Sequence, residues 1–188
     1  VIERLKQWLA GEPPAPTAAP PRLRILMVCT GNICRSPTAE GVLRHKLALA
    51  GLGSVVQVAS AGTHGYHTAE PPDPRAVRAA AARGYDLSRL RARPLGPDDF
   101  QRFDVLLAMD HTHLAWLHKR RPPTVPAQAG LLMPLALRQA LVTEVPDPYY
   151  GGPAGFEHVL DLVEDACEGI LERLAQRQPL LDAPEARP

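Results

Sequence analysis

Cys29 and Arg35 bracket a short segment, Cys29-Thr30-Gly31-Asn32-Ile33-Cys34-Arg35-Ser36, that sits between an apolar run, Arg24-Ile25-Leu26-Met27-Val28, and a helical pattern opened by Pro37. That order predicts a buried strand, a tight loop and a helix N-terminus in succession. Unpaired N–H groups and the positive end of the helix dipole make such a loop an anion site. A thiol and a guanidinium are set at the same place. The arginine fork suits phosphate oxygens bidentately, and the field of cation and helix favours a thiolate over a thiol. Thr30, Gly31, Asn32, Ile33, Cys34 and Ser36 form the cradle: Gly31 lets the backbone turn around the anion, and Ser36 can hydrogen-bond the thiolate. The chemistry this permits is attack by sulfur on the phosphorus of a phosphate monoester, with the dianion's charge neutralised by the loop.

The loop lacks a proton donor for a leaving oxygen. Asp147, in Val145-Pro146-Asp147-Pro148-Tyr149-Tyr150-Gly151-Gly152, is the candidate, because two flanking prolines stiffen the segment and hold the aspartate extended. The same residues also suit a simple surface turn. Tyr149 and Tyr150 could wall a pocket or accept phosphate.

Around these residues the chain supplies a scaffold. Its 188 residues suit one domain with a sizeable core, and a formal net charge of +1 gives no field directed at nucleic acid. Three cysteines make no disulfide framework and suit a reducing cytoplasm. No apolar run approaches the ~20 residues that span a bilayer, so no stable membrane insertion is expected. The first nine residues are too short and too charged for a secretory leader.

Ile2, Leu5, Trp8 and Leu9 fall at helical spacing, and Gly11 to Pro21 reads as a proline-rich tether, so residues 1–21 are set apart from a domain over 22–178 and a tail over 179–188. After the first strand, a helix is predicted from Pro37 to Ala50 with Ser36 as N-cap and Gly51 as stop. Ser54–Ser60 is the second strand, Asp73-Pro74 opens an alanine-rich helix ended by Gly84, and Pro97 starts a short helix. Asp104–Met109 reads as a strand covered on both faces. Asp110 caps a helix ending at Lys119-Arg120-Arg121, Leu131–Met133 is a weaker strand, and a last helix runs from about Gly155 to Arg177. Alternating strands and helices imply an α/β domain with a four-stranded parallel sheet flanked by helices on both faces, its ligand beyond the carboxyl ends of the strands.

Cys-x5-Arg-Ser after a first strand, with Asp-Pro-Tyr-Tyr far downstream, resembles the low-molecular-weight protein tyrosine phosphatases. The likeness covers about residues 22–175 and includes Ser60-Ala61-Gly62-Thr63, Asp73-Pro74-Arg75-Ala76, Phe103-Asp104 and Met109-Asp110. The resemblance implies a phosphocysteine on Cys29, phosphate held by Arg35 and the loop amides, Asp147 as general acid and then as activator of water, and neither metal nor other cofactor. It also implies that Asn32 and Ser36 shape the loop, and that Tyr66 forms an aromatic wall of the cleft. Its substrate is a phosphotyrosine-bearing protein, with a bacterial tyrosine kinase as one partner by family analogy. Protein-arginine phosphatases of this family carry threonine where Ile33 stands, so Ile33 with Tyr149 favours an aryl phosphate. One departure is Leu90, which replaces a histidine that supports the network around Asn32 and Ser60 in relatives.

Rival readings remain open at this point. Arsenate reduction on the same fold needs relay cysteines, and residues 60–110 have none. A silent phosphopeptide-binding module has no use for Asp147 and Ser36. Cys34 either packs the loop or traps an oxidised Cys29 as a disulfide. Cys167 lies on an apolar helix stripe and reads as inert core. Tyr66 could be a plain surface aromatic, and Lys119-Arg120-Arg121 complements a helix C-terminus.

Overall fold

The computed structural model describes residues 21–181. The amphipathic segment and most of the tether assigned to residues 1–21, and the tail from 182 onward, lie outside the described residues. Leu23–Cys29 is β1 and Arg35–Leu49 α1; Val56–Gly62 is β2, Pro74–Ala82 α2 and Asp99–Arg102 α3. Val105–Ala108 is β3, His111–Arg120 α4, Gln128–Leu131 β4 and Pro153–Ala175 α5, with a single 3-10 turn at Met133–Leu135 after β4. The strands run parallel in the order β2-β1-β3-β4.

Alternation along β1 divides the interior into two layers. Ile25, Met27 and Cys29 face one core with Val42, Leu43 and Leu47 of α1 and Phe156, Val159, Leu160, Val163 and Ile170 of α5. Leu26 and Val28 face the other, with Phe100 and Phe103 at α3 and Leu117 of α4. Both faces of β1 and β3 are therefore covered, which is why these strands read as unbroken apolar runs. Leu180 is buried with the first core, and Leu181 packs where a Cβ on Gly130 would meet it at 2.5 Å. The packed chain thus extends to the end of the described residues.

Several boundaries shift for local reasons. The first helix begins at Arg35 rather than Pro37, and Cys34 at its N-cap makes no side-chain cap bond. Ser36 does not cap it, because its hydroxyl is turned to Cys29 instead. Asp73 and Asp110 do cap as their positions suggest, accepting from the backbone N–H of Arg75 and His113. The fourth strand lies three residues earlier than the apolar triplet, at Gln128–Leu131, and Met133 enters the 3-10 turn.

β1 is flanked by β2 on one side and β3 on the other, so the chain departs in opposite directions from its carboxyl end. That crevice is where parallel sheets receive ligands. Cys29 is the last residue of β1 and stands at it.

Candidate active site

Cys29 is 3% exposed and lies at the base of a cavity of about 410 Å³. The loop residues Thr30, Gly31, Ile33, Cys34 and Arg35 line that cavity, as do Asp147, Tyr66, Tyr149 and Tyr150 from distant parts of the chain. Asn32 and Ser36 are buried behind the wall. The predicted residues are therefore brought together in two shells: reactive groups facing the cavity, and two polar side chains supporting them.

The tight turn is not where glycine was expected to supply it. Asn32 carries the positive φ, at 57°, and Gly31 has no such angle. Asparagine tolerates the left-handed region, and here its side chain is fixed by several bonds. Gly31 serves a different need, since a Cβ there would meet Cδ2 of His67 at 3.0 Å. His67 is a cavity-lining residue that sequence reading passed over.

A directed chain of hydrogen bonds ends on the sulfur. The Arg93 backbone N–H donates to Asn32 Oδ1 at 3.0 Å, which fixes the amide's orientation. Asn32 Nδ2 then donates to Ser36 Oγ at 2.9 Å and to Ser60 Oγ at 2.8 Å. Having accepted there, Ser36 has its own proton free for Cys29 Sγ, 3.0 Å away. Ser60 Oγ donates in turn to Glu40 Oε2 at 2.6 Å. The network closes on Glu40 without a histidine, and Leu90 packs against the first core. Glu40 carries no motif of its own in the sequence; in the fold it is buried, 7% exposed.

Arg35 is 4% exposed and is held by three acceptors. Nη1 donates to Asp110 Oδ2 at 2.8 Å and to Val145 O at 3.2 Å, while Nη2 donates to Asp147 Oδ2 at 2.8 Å. Asp110 thus has a second task beyond capping α4. Burial pushes its carboxyl up, but the adjoining His113 and then the Arg35 guanidinium outweigh that and hold it well below its ordinary range. His113 is itself buried. Its Nε2 meets Thr30 Oγ1 at 2.8 Å, and its Nδ1 lies 2.8 Å from Asp110 Oδ1.

The two loop cysteines differ in chemistry. Burial, then the negative charges of Asp73, Cys29 and Asp147, push the Cys34 thiol up to about 12. Cys34 is therefore a neutral thiol at physiological pH and a poor competitor to Cys29. Cys167 is fully buried, and burial pushes its thiol up as well. All three cysteines are free.

The aromatic walls are more open than the loop. Tyr66 is 72% exposed and stacks on His64 with 5.1 Å between centroids. Tyr149 and Tyr150 meet edge to face at 5.0 Å, and Tyr150 is almost wholly exposed. Among the described residues, no group of three or more His, Cys, Asp or Glu is arranged to hold a metal ion.

The chain is similar to known proteins over most of its length. Residues 24–180 match the family model for low molecular weight phosphotyrosine protein phosphatase. A low molecular weight protein-tyrosine-phosphatase of Streptomyces coelicolor is 42% identical, covering 82% of this chain and 94% of its own. A human low molecular weight phosphotyrosine protein phosphatase is 36% identical, covering 79% and 94%. The crystal structure of a protein tyrosine phosphatase from Entamoeba histolytica, with Hepes in its active site, superposes with a TM-score of 0.78 at 37% identity, over 82% of this chain and 98% of that one. A Vibrio vulnificus Wzb complex with benzylphosphonate gives 0.69 at 27% identity, over 80% and 98%.

Proposed function

Because the chain belongs to the low molecular weight protein-tyrosine phosphatases and hydrolyses phosphotyrosine esters, we propose that Cys29, Arg35 and Asp147 divide the reaction between them. Cys29 Sγ attacks phosphorus, forming the S–P bond as the P–O bond to the tyrosyl oxygen breaks. Asp147 gives its proton to that oxygen as it leaves. Arg35 and the N–H groups at the start of α1 hold the phosphoryl oxygens through the transition state. The entering phosphate competes with Asp147 for Arg35, which frees the carboxyl to face the leaving oxygen. In the second step Asp147 takes a proton from water, the water oxygen bonds to phosphorus, and the S–P bond breaks. Ser36 then donates to the departing thiolate.

The observation that carries this reading is the 2.8 Å contact of Arg35 with Asp147 at the cavity that Cys29 floors. Ile33 in the loop and Tyr66 and Tyr149 at the rim supply apolar contact for an aryl ring rather than a guanidine. As physiological substrate we propose a phosphotyrosine-bearing protein, a bacterial tyrosine kinase being one such, met in the cytoplasm, whose reducing poise keeps the nucleophilic sulfur out of disulfides. No described helix is long and apolar enough to cross a membrane.

The test is the leaving-group dependence of kcat/KM, which covers the chain of steps up to loss of the alcohol. Asp147→Ala lowers kcat/KM for phenyl phosphate by about 100-fold or more, and for p-nitrophenyl phosphate, whose phenolate leaves without help, by much less. Equal losses on the two esters remove Asp147 as the acid.

A further inference from the structure

The short segment Asp73-Pro74-Arg75, at the start of α2, touches both halves of the site. Toward the phosphate loop, the Asp73 backbone N–H donates to Ile33 O at 2.8 Å. Toward the Asp147 segment, Arg75 Nη2 donates to Tyr149 O at 3.0 Å and Nη1 to Gly151 O at 3.3 Å. The guanidinium is locked in this pose by Asp73, which accepts from Arg75 Nε at 3.0 Å and from Nη2 at 2.8 Å. It also lies over the Phe156 ring, 4.6 Å from the centroid, and over the Tyr149 ring at 5.7 Å. Tyr149 in turn donates its N–H to Asp147 Oδ1 at 3.1 Å.

We propose that Arg75 is a positioning residue for the general acid: it pins the Asp147–Gly151 segment to the phosphate loop and so sets where the Asp147 carboxyl sits over the cavity.

Three observations support a positioning role over a substrate contact. Arg75 does not line the cavity. Its donors are turned to backbone carbonyls of the segment that carries the acid. Its aspartate partner is joined by backbone to the loop that carries the nucleophile. The Asp147 side chain is 48% exposed, so its own packing does little to hold it, and the hold must come from Arg35 on one oxygen and the Tyr149 amide on the other. Loosening Tyr149 releases the second. A displacement of about 1 Å at a reacting group can cost about 100-fold, so the effect is measurable even where the fold is untouched.

The inference rests on Asp147 being the acid, and the experiment separates the two. In the full chain, kcat/KM for phenyl phosphate and p-nitrophenyl phosphate is measured for Arg75→Met, Arg75→Lys, Asp147→Ala and the Arg75→Met/Asp147→Ala pair, with inhibition by inorganic phosphate and the melting temperature alongside. Arg75→Met should lose about tenfold or more on phenyl phosphate and under about threefold on p-nitrophenyl phosphate. In the Asp147→Ala background it should cost nothing further on either ester, and the phosphate inhibition constant should stay within about twofold, since acid positioning leaves phosphate binding alone. Arg75→Lys keeps the charge without the fork, so it gives the same split to a smaller degree and serves if the Met variant fails to fold. Equal losses on the two esters, a full Arg75 effect persisting without Asp147, or weakened phosphate inhibition each overturn the assignment. If Asp147→Ala itself shows no leaving-group split, the acid assignment has failed and the role of Arg75 falls with it; if only the Arg75 variants lack the split, the acid stands and Arg75 alone is wrong.

Discussion

Asn32 concentrates the loop's rigidity in one side chain, which makes its removal quantitative. The residue is 1% exposed, so solvent cannot replace what is lost. Its side chain makes three hydrogen bonds, to Ser36 Oγ, Ser60 Oγ and the Arg93 N–H, each worth about 1 kcal/mol net. Its φ of 57° adds a conformational cost of about 1–2 kcal/mol for a residue with a Cβ and no local hydrogen bond. Asn32→Ala should therefore destabilise by about 4 kcal/mol. Asn32→Gly loses the same bonds but accepts the backbone angle; after the extra entropy of a glycine in the unfolded chain, it should be about 1 kcal/mol less damaging than alanine. For a domain of this size, 1 kcal/mol moves the melting temperature by about 2–4 °C, so calorimetry should put alanine about 8–16 °C below the parent and glycine a few degrees above alanine. Alanine equal to or better than glycine would refute the strain argument, and a loss below about 1 kcal/mol in both would show that the network does not hold the loop.

Ser36→Ala removes the donor aimed at Cys29 Sγ. The thiolate is the leaving group only in the second step, so kcat should fall about tenfold or more while kcat/KM falls less, and a burst of phenol should appear in rapid-mixing traces; losses that fall wholly on kcat/KM contradict this. Asp110→Asn should cost about 2–3 kcal/mol near neutral pH, by weakening the charge-assisted bond to Arg35 Nη1. The folded carboxyl is lowered from its ordinary 3.8, so the stability it gives is present above that value and lost as the pH falls through the lowered one. The gap between parent and variant, followed by urea denaturation, should narrow below about pH 4, and a gap that stays constant into acid removes the linkage.

The reactive loop was legible because its signals are local. An apolar strand, a Cys-x5-Arg spacing and a proline in a helix's first turn occupy consecutive residues, and the helix field follows from chain order alone. Asp147 was only half legible: its prolines stiffen the segment but suit a surface turn equally, and it took the family resemblance to single it out and the fold to set it at the cavity. The supporting contacts were not, because each pairs residues far apart in sequence. Arg35 with Asp110, Ser60 with Glu40, and Arg75 with Tyr149 depend on the parallel order β2-β1-β3-β4, which no single segment encodes. Asp110 read only as a cap, a task it does perform, and that sufficient local role hid its second one. Ser36 misled in the same way: its position suits an N-cap, but the sulfur seven residues back offers its hydroxyl a better use. Gly31 drew the expectation of a strained turn that Asn32 fulfils, since asparagine with three side-chain partners can hold an angle usually left to glycine.

The central claim is a covalent bond between phosphorus and Cys29. Rapid acid quench of the Ser36→Ala variant during turnover of phenyl phosphate, followed by peptide mass spectrometry, tests it most directly. The account predicts a phosphoryl group on the peptide bearing Cys29, absent from Cys29→Ser, which should bind phosphate without turnover. Phosphate found on another side chain, or turnover persisting in Cys29→Ser, would contradict it.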